Sequence, residues 1–349
     1  MKFDYCIGNP PYQEQTIGDQ KTYGAPIYDK FIDASASVAK KVELIHPARF
    51  LFNAGGTAKA WNQKILSDEH FQVLFYESDS MKIFPTANIG GGVTITYRDE
   101  EKIIGPIGTF ITTDELRSIH NKVVNMSGFN TLQSFVGNRG EYRFNDKLHV
   151  EHPEAKDQRS KGHMYDISTN IMDISPQLFF DVEPQDGYEY IRMFGLSDGK
   201  RCDKYIRKDY VVDSKHRLSK YKVFLPKAYG TGIVDGKETY IIGQPVVGEV
   251  NMASTESFIS IGEYDSYIEA NNCLKYLKTR FCRVLIGILK VTQDCPARVF
   301  QPVPFQDFTS NSDIDWSQSI VDIDKQLYKK YNLSQDEIDF IETHVKEMQ

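Results

Sequence analysis

Two adjacent prolines, Pro10 and Pro11, close the first apolar run of the chain, "FDYCIG" at residues 3–8. A proline fixes its own φ, carries no N–H, and pushes the residue before it out of the helical region. Asn9 and Pro10 are therefore both extended, and the run before them reads as a strand. Beyond it the apolar period switches repeatedly between 3.6 and 2 residues. Residues 25–40 place Ile27, Phe31, Ala34 and Val38 at helical spacing, and residues 41–50 read as a second strand stopped by Pro47. Residues 55–68 read as a second helix, 71–78 as a third strand, and 91–100 as a fourth with Val93, Ile95 and Tyr97 on one face. This βαβαββ order predicts a parallel sheet covered by helices. Such sheets bind ligands beyond the carboxyl ends of their strands, which is where Asn9–Tyr12 falls.

The chemistry of that corner is specific. The side-chain oxygen of Asn9 and the carbonyl of Pro10 are two acceptors able to take both hydrogens of a primary amine, while Tyr12 offers a flat face to the ring that bears it. Drawing on both hydrogens localises the nitrogen lone pair and makes a weak nucleophile usable. The structural alternative is a polyproline turn closing a buried strand.

From Gly105 the texture changes. Residues 103–110 read as a linker, and short β-rich runs then mix with one long helix expected over residues 266–291. Ser334 and Glu337 stand at capping-box spacing and predict a terminal helix over residues 333–347. The expected division is thus 1–104, 105–312 and 313–349.

At 349 residues and 40% hydrophobic, the composition is that of a globular protein long enough for two cores. No run approaches the ~18 apolar residues a membrane span needs, and the start lacks a signal-peptide core, so a cytoplasmic location is expected. Five scattered cysteines without a CxxC pair argue against a disulfide framework and a zinc site. His149 and His152 read as surface residues, and the D…ExK-like set Asp146, Glu154 and Lys156 reads as chance; no metal is expected. The net charge of −7 conceals a basic stretch, residues 200–227, with ten basic residues against three acids. A solvated face is its plain reading. If a polyanion binds, Lys204, Arg207, Lys208, Lys215, Arg217, Lys220 and Lys222 are the candidate phosphate contacts.

"FDYCIGNPPYQ" resembles motif IV of the amino-group, S-adenosylmethionine-dependent DNA methyltransferases, specifically the N6-adenine enzymes of restriction-modification systems. "GAPIYDKFIDAS", "ELIHPARFLFNAGG" and "IFPTANIGGGVTITYRDE" resemble the helix, strand and hairpin that follow in that family. "YKVFLPKAYGTG", "GEVNMASTESFISIG", "YLKTRFCRVLIGILKVTQD" and "VFQPVPFQDF" resemble its target-recognition region, and "QLYKKYNLSQDEIDFIE" its closing helix. The resemblance implies a partial Rossmann-like methyltransferase sheet, an α+β target-recognition domain and a C-terminal helix. It implies Asn9 and Pro10 as acceptors for the adenine amino group, Pro11 as stiffener, and Tyr12 and Phe84 as rings stacking on a flipped base in double-stranded DNA.

The family's cofactor half, with its glycine-rich turn, stands upstream of this motif, whereas eight residues precede Asn9 here. The resemblance therefore implies that most of the S-adenosylmethionine site is outside the chain, that the chain alone is inactive, and that the strand at residues 3–7 is a raw edge. That edge is expected to meet a cofactor-binding subunit or a second copy, or to be covered by the chain's own tail. "AYGTG" at residues 228–232 is the one candidate for a displaced glycine turn and reads instead as a loop. Gly90, Gly91 and Gly92 read as a place where backbone approaches closely. The alternative function is a non-catalytic DNA-binding or specificity module serving a partner.

Overall fold

The protein is described by a computed structural model, which covers residues 2–14, 24–230, 238–290 and 292–349. The chain forms two compact units, one reaching to Arg117 and the other running from Ser118 to Gln349. The boundary thus falls beyond the 104/105 position suggested by composition, and residues 313–349 belong to the second unit rather than to a separate tail.

The first unit is a four-stranded sheet made of β1 (Phe3–Gly8), β2 (Ala39–Pro47), β3 (Phe71–Glu77) and β4 (Val93–Asp99), in the order β1-β2-β4-β3. Helix α1 (Tyr28–Val38) links β1 to β2, which pair in parallel from Phe3↔Ala39 to Gly8↔Leu44. The fully parallel sheet expected from the alternation is not what forms. β4 inserts between β2 and β3 and runs antiparallel to both. The chain leaves β3 without a crossover helix, so its return strand comes back antiparallel. Helix α2 (Lys59–Leu66) precedes β3. Between β2 and α2, Phe50 is fully buried with its ring against Trp61 and Phe71. His46 is buried too, stacked on Tyr28 and bonded to Thr96 Oγ1 at 2.8 Å; burial pushes its pKa down to about 4 and keeps it neutral. Among the described residues β1 pairs with β2 alone, and its side chains Phe3, Tyr5 and Ile7 are 73%, 63% and 73% exposed on one face.

Helix α3 (Asp114–Val124) carries the chain into the second unit, which is α+β. Its strands are β5 (Tyr142–Phe144), β6 (Tyr190–Ser197), β7 (Lys200–Arg207), β8 (Val211–Asp213), β9 (Tyr221–Pro226), β10 (Val246–Gly248), β11 (Met252–Ser254) and β12 (Phe258–Tyr264). They make two three-stranded sheets, β10-β9-β12 and β11-β6-β7, and the pair β5-β8. Short helices α4 (Asp146–Glu151), α5 (Glu154–Asp157) and α6 (Ile171–Ile174) fall between β5 and β6. Leu148, Ile171, Met193, Ile206, Phe224 and Phe258 are among the side chains of one continuous apolar core. The capping box forms as its spacing predicts, starting α10 (Gln335–His344) at Ser334.

The long helix expected over residues 266–291 is instead two, α7 (Tyr267–Lys278) and α8 (Arg280–Leu289). Thr279 breaks it with an extended backbone, φ −61° and ψ 147°. Its hydroxyl caps α8 by accepting from Cys282 N at 3.1 Å, and the carboxylate of Asp324 on α9 (Ile320–Lys330) accepts from Arg280 N and Phe281 N at 2.9 Å each. Those acceptors satisfy the amides that a continuous helix would have bonded internally.

Candidate functional site

The parallel strands β1 and β2 end, and β4 begins, at one edge of the sheet of the first unit. Three connections meet there: the proline loop after β1, the turn after β2, and the β3–β4 excursion. Between them is a cleft of about 720 Å³ lined by Asn9, Pro10, Pro11, Tyr12, Arg49 and Phe84, with Gln13, Asn88 and Gly90 among others. Residues separated by 72 positions in sequence, Tyr12 and Phe84, are thus brought to one cavity.

The proline loop is tied down at its far end. Glu14 N donates to Ala25 O at 2.8 Å and Ile27 N to Tyr12 O at 3.2 Å. At its near end the polar groups are idle: among the described residues no hydrogen bond engages the Asn9 side chain or the Pro10 carbonyl, and Asn9 is exposed. The Tyr12 ring is half-buried, its hydroxyl is shut from solvent without a partner, and burial raises its pKa. Its ring makes no contact with that of Phe84.

Ser80 organises the other wall, a role that sequence reading missed. Its buried hydroxyl donates to Ala87 O at 2.8 Å and accepts from Ile89 N at 2.7 Å, and its carbonyl accepts from Phe84 N at 2.7 Å. A serine ten residues ahead of a glycine run is a weak signal; only the folded excursion reveals the crosslink.

Arg49 was also missed, although "HPAR" stood in plain view. It directly follows Pro47–Ala48 at the exit of β2, and its Nε donates to Gly90 O at 2.5 Å. Gly90–Gly92 do allow close approach, to this arginine and to the backbone at Glu77–Ser78.

The basic stretch of the second unit divides sharply. Arg207, Arg217 and Lys222 are buried and are thereby removed from the phosphate-contact set. Arg207 forks onto Asp209 at 3.0 and 2.7 Å, reaches Glu151 at 2.8 Å, and lies 3.5 Å from the ring centre of Tyr188. Arg217 meets Ser260 Oγ at 2.7 Å and Glu141 at 3.4 Å, while burial raises the Glu141 pKa. The ammonium of Lys222 donates to the carbonyls of Arg217, Lys220 and Glu249 at 2.9–3.0 Å, and desolvation pushes its pKa down to about 8. Lys204, Lys208 and Lys220 hold surface pairs with Asp181, Glu189 and Asp265. Lys215 is exposed, with no ion pair among the described residues.

The remaining expectations resolve individually. His149 is half-buried: its ring nitrogens are shut from solvent and its ring packs edge-on to Tyr165. Asp146 accepts from the Tyr165 hydroxyl, and Glu154 sits beside His152 and Gln177. The five cysteines are free. In "AYGTG", Ala228 bridges to Asp294, and Tyr229 and Gly230 give their carbonyls to Lys290; Thr231 and Gly232 are outside the described residues. The chain's tail pairs at Val345 with Thr239 inside the second unit. No helix among the described residues is long and apolar enough to cross a membrane.

Residues 1–84 match a family model described as the Eco57I restriction-modification methylase. The crystal structure of the type IIG restriction endonuclease BpuSI is similar to 92% of this chain and 48% of its own, at 11% sequence identity and a TM-score of 0.34. The chain spans about half the length of that enzyme. No curated protein matches it.

Proposed function

We propose that this chain is the catalytic-loop and target-recognition part of a site-specific, S-adenosylmethionine-dependent DNA adenine-N6 methyltransferase of a restriction-modification system. The observation that carries this reading is the pair of idle acceptors, Asn9 and Pro10, lining one cleft with two separated rings, Tyr12 and Phe84. The family match over residues 1–84 supports it. A duplex base is out of reach of such a cleft, so the adenine rotates out and lies between the rings, at a cost of a few kcal/mol offset by stacking. Asn9 Oδ1 and Pro10 O then accept the two N6 hydrogens, which directs the nitrogen lone pair outward for attack. The stiffness of Pro10–Pro11 holds both acceptors in place beforehand, so little reorganisation is left for the reacting state.

The cofactor supplies the methyl group. The described residues of the first unit do not fit its adenosine and carboxylate: β1 leads into the prolines and β2 into the short turn Arg49–Phe52, and neither opens a helix with a glycine-rich turn. The chain's own residues are therefore assigned to the substrate amine. The exposed apolar face of β1 is proposed to pair with a cofactor-binding subunit or a second copy.

Two measurements test this. In enzyme reconstituted with a cofactor-binding half, Asn9→Ala is expected to lower turnover more than about tenfold with DNA affinity nearly intact, because the acceptor is used more in the reacting state than in the bound one. Affinity collapsing while turnover holds would sink the assignment. Calorimetry of this chain with S-adenosylmethionine is expected to show weak binding; micromolar affinity would redirect attention to residues 228–232.

A further inference from the structure

Arg49 is the one charged residue among the described residues lining the cleft. It is half-buried, and among those residues no carboxylate pairs with it. Among the described residues, one of its five N–H donors is used, from Nε to Gly90 O. An anion entering the cleft would meet a half-buried cation that has no carboxylate beside it among the described residues.

The fold also holds this side chain in a tailored cradle. A Cβ on Gly90 would stand 2.2 Å from Nη2, one on Gly91 2.6 Å from Cγ, and one on Gly55 3.1 Å from Cβ. Gly91 and Gly55 further adopt φ of +87° and +91°, where other residues are strained. Three glycines from two connections thus leave room for one guanidinium and aim it beside the proposed base-binding rings.

We propose that Arg49 binds the phosphodiester flanking the nucleotide whose base enters the cleft. This deepens the reading given above and rests on it. A base rotated out of a duplex brings its own backbone phosphate within one sugar's length of the ring. The planar fork of arginine matches two phosphate oxygens at once, and a surface lysine would not match them in the same way. The neutral donors and acceptors of Asn9, Gln13 and Asn88 then serve the base, and Arg49 serves the strand. The contact makes Arg49 a positioning residue that fixes where the nucleotide sits against Asn9 and Pro10.

The test titrates the full chain with adenosine, the dinucleotide TpdA, and its uncharged methylphosphonate analogue, using wild type, Arg49→Gln and Gly90→Ala. In wild type the phosphodiester is expected to bind roughly five- to tenfold tighter than the methylphosphonate, and in Arg49→Gln the two should bind equally. Gly90→Ala keeps the charge but displaces the guanidinium, so it should lose most of the preference with thermal stability nearly unchanged. A preference that survives Arg49→Gln, or none in wild type while adenosine still binds, overturns the role of Arg49 alone. Failure of all three ligands to bind overturns the base-binding reading and this inference with it. Loss of S-adenosylhomocysteine binding in Arg49→Gln with the phosphodiester preference intact would assign the arginine to an amino-acid carboxylate and overturn the inference.

Discussion

Arg49 in the first unit and Arg217 in the second carry the same guanidinium and are put to opposite uses. Arg217 is fully enclosed and spends its donors on Glu141, Ser260 and the Phe135 carbonyl. Among the described residues Arg49 uses one donor and opens onto a cleft. The contrast extends to their surroundings: among the described residues Asn9 and Pro10 keep idle acceptors, whereas Lys222 has every ammonium hydrogen on a carbonyl. A charged residue whose counter-ion is enclosed with it inside a unit holds the fold, and one held rigidly at a cavity with no carboxylate beside it among the described residues is available to a ligand. Net charge along a sequence does not separate the two; pairing does.

The sharpest way to break this comparison is Arg217→Ala. It leaves Glu141 buried and uncompensated and is expected to destabilise the second unit by about 3–5 kcal/mol in denaturant unfolding. Replacing Glu141 as well should recover part of that loss, since the isolated buried charge is the larger cost. A loss below about 1 kcal/mol for the single variant would mean that Arg217 is not a structural tie.

A second tie is sensitive to pH. Burial raises the Asp324 pKa to about 6, despite the amides of Arg280 and Phe281 that favour its charge. With an unfolded value of about 3.9, the folded state holds the proton more tightly. The contribution is therefore complete below about pH 4 and is lost as pH rises through about 6. Stability of wild type relative to Asp324→Asn should fall across that window, by about 2 kcal/mol. A flat difference between the two proteins over pH 4–7 would contradict it.

In the first unit, Ser80→Ala removes the hydroxyl bridge between Ala87 O and Ile89 N and leaves the main-chain bond from Phe84 N in place. The expected cost is about 1–2 kcal/mol, with a loosened Phe84 wall visible as faster amide exchange at Ala87 and Ile89. The smallest effect is that of Lys215→Ala. If this exposed lysine meets DNA, its removal should lower the log–log salt slope of binding by about one unit with stability unchanged. By contrast, the pairs of Lys204, Lys208 and Lys220 are exposed enough to be worth about 0–1 kcal/mol each, so they can exchange a carboxylate for a phosphate.

Much of the first unit was legible from local rules. Proline stereochemistry ended β1 at Gly8 and left the Pro10 carbonyl without a neighbouring donor, and the apolar periods placed α1, α2 and four strands in the right order. The direction of β4 was not legible, because periodicity reports which face a strand buries and not which neighbour it joins. Nor was the break at Thr279. The sequence around it reads as uninterrupted helix, and the acceptor that makes the break affordable, Asp324, comes from 45 residues downstream.

By itself, then, the sequence determined what depends on neighbours a few residues apart: strand ends, helix periods, the capping box at Ser334, and the chemical character of Asn9–Tyr12. Only the tertiary structure decided which polar groups are consumed. Arg207, Arg217 and Lys222 found acceptors inside the second unit, most of them far along the chain, and became ties. Arg49 was fitted between glycines 6 and 41–42 residues away and kept its remaining donors. Hydrogen bonds and ion pairs act over a few ångströms in space regardless of separation in sequence, so the difference between a structural cation and a binding one exists only once the chain has folded.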